Sequence, residues 1–396
     1  VRLLHLIPSV DPRGGGTSEG VLRLRNALSE LGHDGDLVTL EGPDSPEVAA
    51  YPDKVIALGP SRGGYRYTPR LVPWLKENAG NYDAVIVNGL WQYVGFAAWR
   101  ALHKSNVPYF VYSHGMLDPW FKRQYPLKHL KKWLYWPWGE YRVLRDAAAV
   151  LFTCDEERLL ARDSFWLYRS REAVSSYGTA APTGDGKAQA ATFLARFPEL
   201  RGKRLALFIG RIHEKKGCDL LIEAFAQLAA LAPDIHLVMA GPGDPNLMHK
   251  LQSRAVLLNM SSRITWTGML TGDLKWGAFH ASEVFCLPSH QENFGVAVAE
   301  AMACAKPVLI SNKVNIWREV EADRAGFVES DTLEGTVRLL QRWLACTPAE
   351  LAEMNGAALR CFEQRFQMER VAANLVRIVR EHSPRMAPQL ASPSHP

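Results

Sequence analysis

The feature that most constrains this chain is an alternation of short apolar runs with longer amphipathic ones. LLHLI, DLVTL, AVIVNG, YFVYSHG and AVLFTC are interleaved with VLRLRNALSEL, RLVPWLKENA and FAAWRALHK. Continuous apolar runs of this length suit strands covered on both faces, and the longer segments have helical periodicity, so the pattern predicts βαβ units on a parallel sheet. After SYGT the small polar stretch APTGDGKAQA is expected to be an interdomain linker. The rhythm then restarts with RLALFIG, CDLLIEAFAQLAAL, HLVMAG, RITWTG, VFCLPS, FGVAVAEAMAC and PVLIS. Two doubly wound α/β domains facing each other across a cleft are therefore expected, over 1–178 and 179–365. A helix over 366–382 is expected to return to the first domain, and the proline-rich stretch 383–396 to be a disordered tail.

The 396 residues are ample for two such cores, and 47% hydrophobic with 22% charged residues is an ordinary globular balance. No apolar run approaches the roughly 18 residues of a membrane-spanning helix. The opening VRLLHLIPSVD reads as a first strand and not as a signal peptide, so a cytoplasmic location is expected. Cysteines 154, 218, 286, 304, 346 and 361 form no C-x-x-C pair and sit mostly in apolar stretches, which predicts reduced, buried thiols without metal-binding or nucleophilic roles.

The net charge of +5 says little, but its distribution says more. Between Pro119 and Arg145 seven Lys and Arg residues face Glu140 alone, a local +6, interleaved with Trp120, Trp133, Trp136 and Trp138. Leu127, Leu130 and Leu134 recur at helical spacing beside Lys128, Lys131 and Lys132. An anionic membrane surface suits such a segment, which would place Lys128, Lys131, Lys132, Trp133 and Trp136 on a membrane or acceptor surface. A core helix with solvated lysines is the alternative. Nucleic acid is not expected, because the remainder of the chain carries no basic field.

In doubly wound sheets ligands bind beyond the carboxyl ends of strands, so four loops carry the chemistry. PRGGGTSEG, with Gly15 and Gly16, allows close backbone approach to an anion at a helix N-terminus, or is a flexible turn. It is not a dinucleotide fingerprint: G-x-G-x-x-G is absent, and no acidic residue clearly ends the second strand. SHGMLDPW places His114 beside Gly115 at a strand end, suited to hydrogen bonding or proton transfer, or to a structural role; Asn88 is a weaker candidate of the same kind. FIGRIHEKKGCD carries Arg211 and Lys216, a guanidinium and an ammonium able to neutralise a diphosphate, with Lys215 expected to be solvated. In PSHQENFGVAVAEAMACAKPV, Glu292 precedes Asn293, Phe294 and Gly295 at the start of a helix, and Glu300 lies within it, where a carboxylate needs a partner such as ribose hydroxyls or a cation.

Together and in this order, GGG, SHG, FIGRIHEKKG and the Glu-x7-Glu pattern ENFGVAVAE followed by AMACAKPV resemble the retaining glycosyltransferases of family 4, which have the GT-B fold of two Rossmann-like domains. The resemblance implies a nucleoside-diphosphate sugar donor, a GDP- or UDP-hexose, with no other cofactor and no metal. It implies that Arg211 and Lys216 hold the diphosphate, assisted by amides near Phe294 and Gly295 and by Gly15 and Gly16. Glu292 would contact the transferred sugar, Glu300 the ribose, and His114 the anomeric centre, with Gly268 and Leu270 bordering the base. The acceptor would be a glycan or a lipid-linked glycan at the inner membrane face, in polysaccharide or glycolipid synthesis. Ala305 replaces the usual glycine before Pro-Val, and SNKVNIWREV lacks the glycine pair common after that strand. A sugar-nucleotide epimerase or a phosphorylase on a similar scaffold, or a non-catalytic membrane module, are the rival readings.

Overall fold

The computed structural model describes residues 1–11 and 16–383. It contains two parallel-sheet α/β units, Val1–Tyr177 together with the C-terminal segment from Met368, and Gly178–Gln367.

The first sheet comprises β1 (Arg2–Ile7), β2 (Asp34–Thr39), β3 (Val55–Ala57), β4 (Ala84–Asn88), β5 (Tyr109–Tyr112), β6 (Ala149–Phe152) and β7 (Glu172–Val174), in the order β3-β2-β1-β4-β5-β6-β7. Every pair is parallel, with Leu4 opposite Asp36 on one side and Val85 on the other. Leu3, Leu4, Leu6 and Ile7 are all buried, as a strand covered by helices on both faces requires. One face is covered in part by the helix Met368–His382, whose Val371, Leu375, Val376 and Val379 join Leu24 and Leu28 of the helix Thr17–Glu30 in one core cluster.

The second sheet comprises β8 (Arg204–Ile209), β9 (Ile235–Ala240), β10 (Ile264–Gly268), β11 (Val284–Leu287), β12 (Val308–Ser311) and β13 (Gly326–Glu329), in the order β10-β9-β8-β11-β12-β13. Each sheet reverses strand order once, at β1/β4 and at β8/β11, and those reversals open the crevices where ligands bind in such folds.

The expected linker is shorter than its composition suggests. The chain passes between units at Tyr177–Gly178, and GKAQA already belongs to the helix Gly186–Arg196. Asp185 starts that helix by accepting the Lys187 amide at 2.9 Å, and alanine-rich sequence continues it. The helix packs on Gly272–Ala281 so closely that a Cβ on Gly277 would lie 2.2 Å from the Gln189 carbonyl oxygen. Ser383 is buried at the close of the C-terminal helix, and the rest of the expected tail lies outside the described residues.

Candidate functional site

In the first unit the loop residues cluster at the ends of β1, β4 and β5. Gly15 lies outside the described residues. Gly16 caps the helix Thr17–Glu30, its carbonyl accepting from the Gly20 amide at 2.9 Å and the Tyr177 hydroxyl at 3.1 Å. That hydroxyl explains Gly20, where a Cβ would stand 1.7 Å from it.

His114 has a left-handed backbone (φ 47°), stacks on Tyr112 with ring centroids 5.2 Å apart, and places Nε2 3.3 Å from Asn88 Oδ1. The Asn88 amide donates to the Leu6 and Ile86 carbonyls, which fixes its oxygen as an acceptor and so puts the proton on His114 Nε2. Burial lowers His114 to about 4, so the ring is neutral at pH 7, with Nδ1 as an acceptor. This is a hydrogen-bonding imidazole and a poor proton donor.

Two carboxylates escaped the sequence reading. Glu157, in the first turn of the helix Asp155–Ala161, accepts from the Ser113 hydroxyl at 2.5 Å and the Gly115 amide at 2.6 Å, one on each side of His114. Its other oxygen takes the Thr153 amide and hydroxyl. A clamp on both neighbours offsets the strain of the left-handed histidine. Glu41 corrects the expectation that no acid ends the second strand. It follows β2 by two residues, is buried, and accepts from the Ser9 hydroxyl, the Val10 amide and the Thr39 hydroxyl. The signal was an acid just past an apolar run, obscured by the intervening Leu40.

In the second unit two loops at the β8/β11 reversal lock together. The β8 loop is tied to the β11 loop where the His290 amide donates to the Lys215 carbonyl at 2.7 Å, and where a Cβ on Gly217 (φ 63°) would lie 2.2 Å from the Pro288 carbonyl oxygen. Lys215 is half-buried, its ammonium 3.5 Å from Gln291 Oε1, and so is less solvated than its sequence position suggests. Arg211 is exposed at the loop's start.

Lys216 and Glu292 form an ion pair with each other. Burial lowers Lys216 to about 8, with the Arg211 and Lys215 charges acting in the same direction; the touching carboxylate favours the ammonium. Glu292 is itself held by its backbone, the amide donating to the Lys313 carbonyl and the carbonyl accepting from Asn315 N–H. SNKVNIWREV therefore supplies a backbone brace for Glu292 without the expected glycine pair.

Gly295 (φ 79°) begins the helix Val296–Ala303, and Glu292 Cγ lies 3.4 Å from where its Cβ would be. The first amides of that helix, of Val296 and Ala297, have no helical acceptor. The Phe294 ring points into the core against Phe366 with centroids 5.4 Å apart, so only its main chain can serve a ligand; Asn293 lies near Asn315. Glu300, 4% exposed, is paired with Lys275 at 2.6 Å. Lys275 belongs to the helix that follows the Gly268–Leu270 loop, so this pair joins the two segments expected at the base and the ribose. Gly268 is exposed and left-handed (φ 69°), and Leu270 half-buried.

The basic segment forms the helix Pro126–Tyr135. Lys128, Lys131 and Trp133 are exposed. Trp136 is fully buried, its indole N–H donating to the Trp166 carbonyl at 3.0 Å, and so cannot lie on a docking surface. Lys132 is also turned inward, its ammonium 4.6 Å from the Trp91 ring centroid. All six cysteines are free and five are buried, burial pushing the Cys218 thiol up to about 12. Among the described residues no helix is long and apolar enough to cross a membrane.

Residues 15–178 match the glycosyl transferase 4-like domain, and residues 192–358 the family of glycosyl transferases group 1. Mannosylfructose-phosphate synthase of Agrobacterium fabrum is 25% identical over 345 residues, covering 78% of this chain and 74% of that protein. The sucrose-phosphate synthase structure from Thermosynechococcus elongatus superposes with a TM-score of 0.70 at 22% identity, over 96% of this chain and 98% of the other. The Anabaena HepE structure in complex with UDP superposes with a TM-score of 0.76 at 16% identity, over 96% of this chain and all of the other (100%).

Proposed function

Because this chain belongs to the family 4 glycosyltransferases and has their GT-B fold, we infer that it is a retaining hexosyltransferase using a nucleoside-diphosphate sugar, UDP- or GDP-linked, without a metal. The observation that carries this reading is the Lys216–Glu292 pair beside the open amides of the helix Val296–Ala303. A diphosphate arriving there competes with Glu292 for Lys216, adds Arg211 and accepts from the helix amides. Release of Glu292 from Lys216 turns its carboxylate toward the sugar hydroxyls. The donor half thus switches from an internal ion pair to two ligand contacts. The UDP bound by the Anabaena protein supports the same class of donor.

In the reaction the bond from the anomeric carbon to the diphosphate oxygen breaks, and the pair of electrons stays on the diphosphate. Arg211, Lys216 and the helix amides stabilise that charge as it develops. The acceptor hydroxyl bonds to the same face of the carbon, and its proton passes to the leaving phosphate oxygen. Neutral His114 positions a sugar hydroxyl through Nδ1. Glu300 with Lys275 serves the ribose, Gly268 and Leu270 border the base, and the unit containing Gly16 serves a glycan or lipid-linked acceptor, in polysaccharide or glycolipid assembly on the cytoplasmic side of a membrane.

Nucleoside diphosphate release, measured over a panel of nucleotide sugars and followed by proton NMR of the product anomer, tests the reading. A retained anomer with stoichiometric diphosphate is expected. Conversion of the donor without diphosphate release would make the protein an epimerase and overturn it.

A further inference from the structure

The helix Pro126–Tyr135 is packed inside out. None of its residues is buried, and the side facing its own unit is its polar and aromatic one. His129 stacks on Phe165 with centroids 4.7 Å apart, the Lys132 ammonium sits over Trp91, and the Tyr135 hydroxyl lies 2.6 Å from that of Tyr65. The opposite side carries Leu127, Leu130 and Leu134, which are 83%, 55% and 62% exposed. A helix of a water-soluble domain ordinarily buries its apolar stripe and hydrates its polar one. Here packing uses the polar stripe and leaves the leucine row outside.

The tertiary structure enlarges this face beyond the helix. Trp133 approaches Trp166 with ring centroids 6.0 Å apart, and Trp166 and Leu167 are each 52% exposed. Leu167 stands in a left-handed turn (φ 61°) that holds the pair at a loop tip. Lys122, Lys128 and Lys131 are exposed, no Asp or Glu occurs between Pro119 and Gly139, and the next acid, Glu140, is fully buried. Apolar aliphatic and indole side chains flanked by lysines match the boundary between anionic headgroups and acyl chains. At 10 residues the helix is about 15 Å long, enough to lie in that boundary and too short to cross it.

We propose that Leu127, Leu130 and Leu134, with Trp133 and Trp166, insert into the interfacial layer of an anionic phospholipid membrane while Lys122, Lys128 and Lys131 contact its headgroups. This differs from docking by charge alone: the leucines hold the protein once salt has screened the lysines. Binding to the surface stands apart from the transferase reading; only the consequence that a lipid-linked acceptor is met there rests on it.

Flotation of the full chain with phosphatidylglycerol-containing vesicles and with pure phosphatidylcholine vesicles tests this, using the variants Leu127→Gln/Leu130→Gln/Leu134→Gln and Lys128→Glu/Lys131→Glu. Wild type is expected to float with the anionic vesicles and to keep part of its binding in high salt. The leucine variant loses at least about tenfold in partitioning at low salt. The lysine variant loses its preference for anionic lipid. Thermal melts of both variants match wild type, since the changed side chains are exposed. Tryptophan emission shifts to the blue on vesicle addition, and the shift shrinks in Trp133→Phe/Trp166→Phe. Flotation of the leucine variant like wild type overturns insertion. Failure of wild type to float, with a dimer in solution that the leucine variant dissociates, assigns the face to a second copy and overturns the proposal. Loss of diphosphate release with flotation intact counts against the transferase reading alone.

Discussion

Lys216 and Glu292, 76 residues apart in sequence, neutralise one another at the mouth of the helix Val296–Ala303. Among the described residues each is recorded in an ion pair with the other, so under the proposed scheme they should respond oppositely to substitution. Lys216→Ala removes a charge-assisted contact of about 1.5–3 kcal/mol and should weaken UDP or GDP binding about 10- to 100-fold. Glu292→Gln frees Lys216, so diphosphate binding should be kept or tightened while sugar transfer falls at least about 100-fold. Calorimetry with the nucleotide and a transfer assay on both variants decide it; weaker diphosphate binding by Glu292→Gln would be contrary to the scheme.

Lys275 is what makes Glu300 tolerable inside an apolar helix. Lys275→Met should cost about 3–5 kcal/mol by leaving a buried carboxylate unpaired, and adding Glu300→Gln should recover most of it. Urea unfolding of the single and double variants measures this coupling.

Glu157 holds the His114 loop from both sides. Glu157→Ala strands the Gly115 and Thr153 amides in the interior and should cost about 3 kcal/mol. Glu157→Gln keeps an acceptor and should lose less. If the role is positioning, the donor KM should rise in Glu157→Gln, with the His114 NMR signals shifted while the fold persists.

The pH dependence of stability follows from buried histidines. Burial lowers His5 to about 3 and His114 and His236 to about 4, so between pH 4 and 6.5 the unfolded chain binds protons that the folded one refuses. Stability therefore rises with pH across that window, by about 1.4 kcal/mol per pH unit for each histidine at full difference. Glu140 opposes this: burial raises it to about 7, so from about pH 4.5 upward the folded state keeps a proton that the unfolded state releases. Glu140→Gln should steepen the rise by about 1.4 kcal/mol per pH unit between pH 4.5 and 6.5. Denaturant titrations at stepped pH test the sign and the difference.

The loops proposed to carry the donor chemistry were singled out from sequence because each follows an apolar run, and a strand end in a doubly wound sheet is where ligands bind. Arg211, Lys216, Glu292 and Gly295 do flank the strand-order reversal of the second sheet. Glu157 and Lys275 were not legible, because an acid in a helix's first turn or a lysine in a helix reads as solvated until its burial or its partner is seen, and Glu41 was obscured by Leu40 between it and the strand end. Trp136 failed as a surface residue for the converse reason: an aromatic among lysines looks interfacial, yet this one fills the core beside Phe165.

What the linear order of residues determined was the alternation of strand and helix, since a run apolar on both faces is stable only in a sheet covered twice. That fixed two parallel sheets and put the glycines, cations and acids at their carboxyl ends. Tertiary structure alone decided who meets whom: the Lys216–Glu292 pair, the Glu157 clamp, and the outward turn of Leu127, Leu130 and Leu134. Periodicity states which side chains share a helix face, but which face is covered depends on the groups opposite it. Those come from Trp91, Tyr65 and Phe165, distant in sequence and adjacent only once the chain has folded.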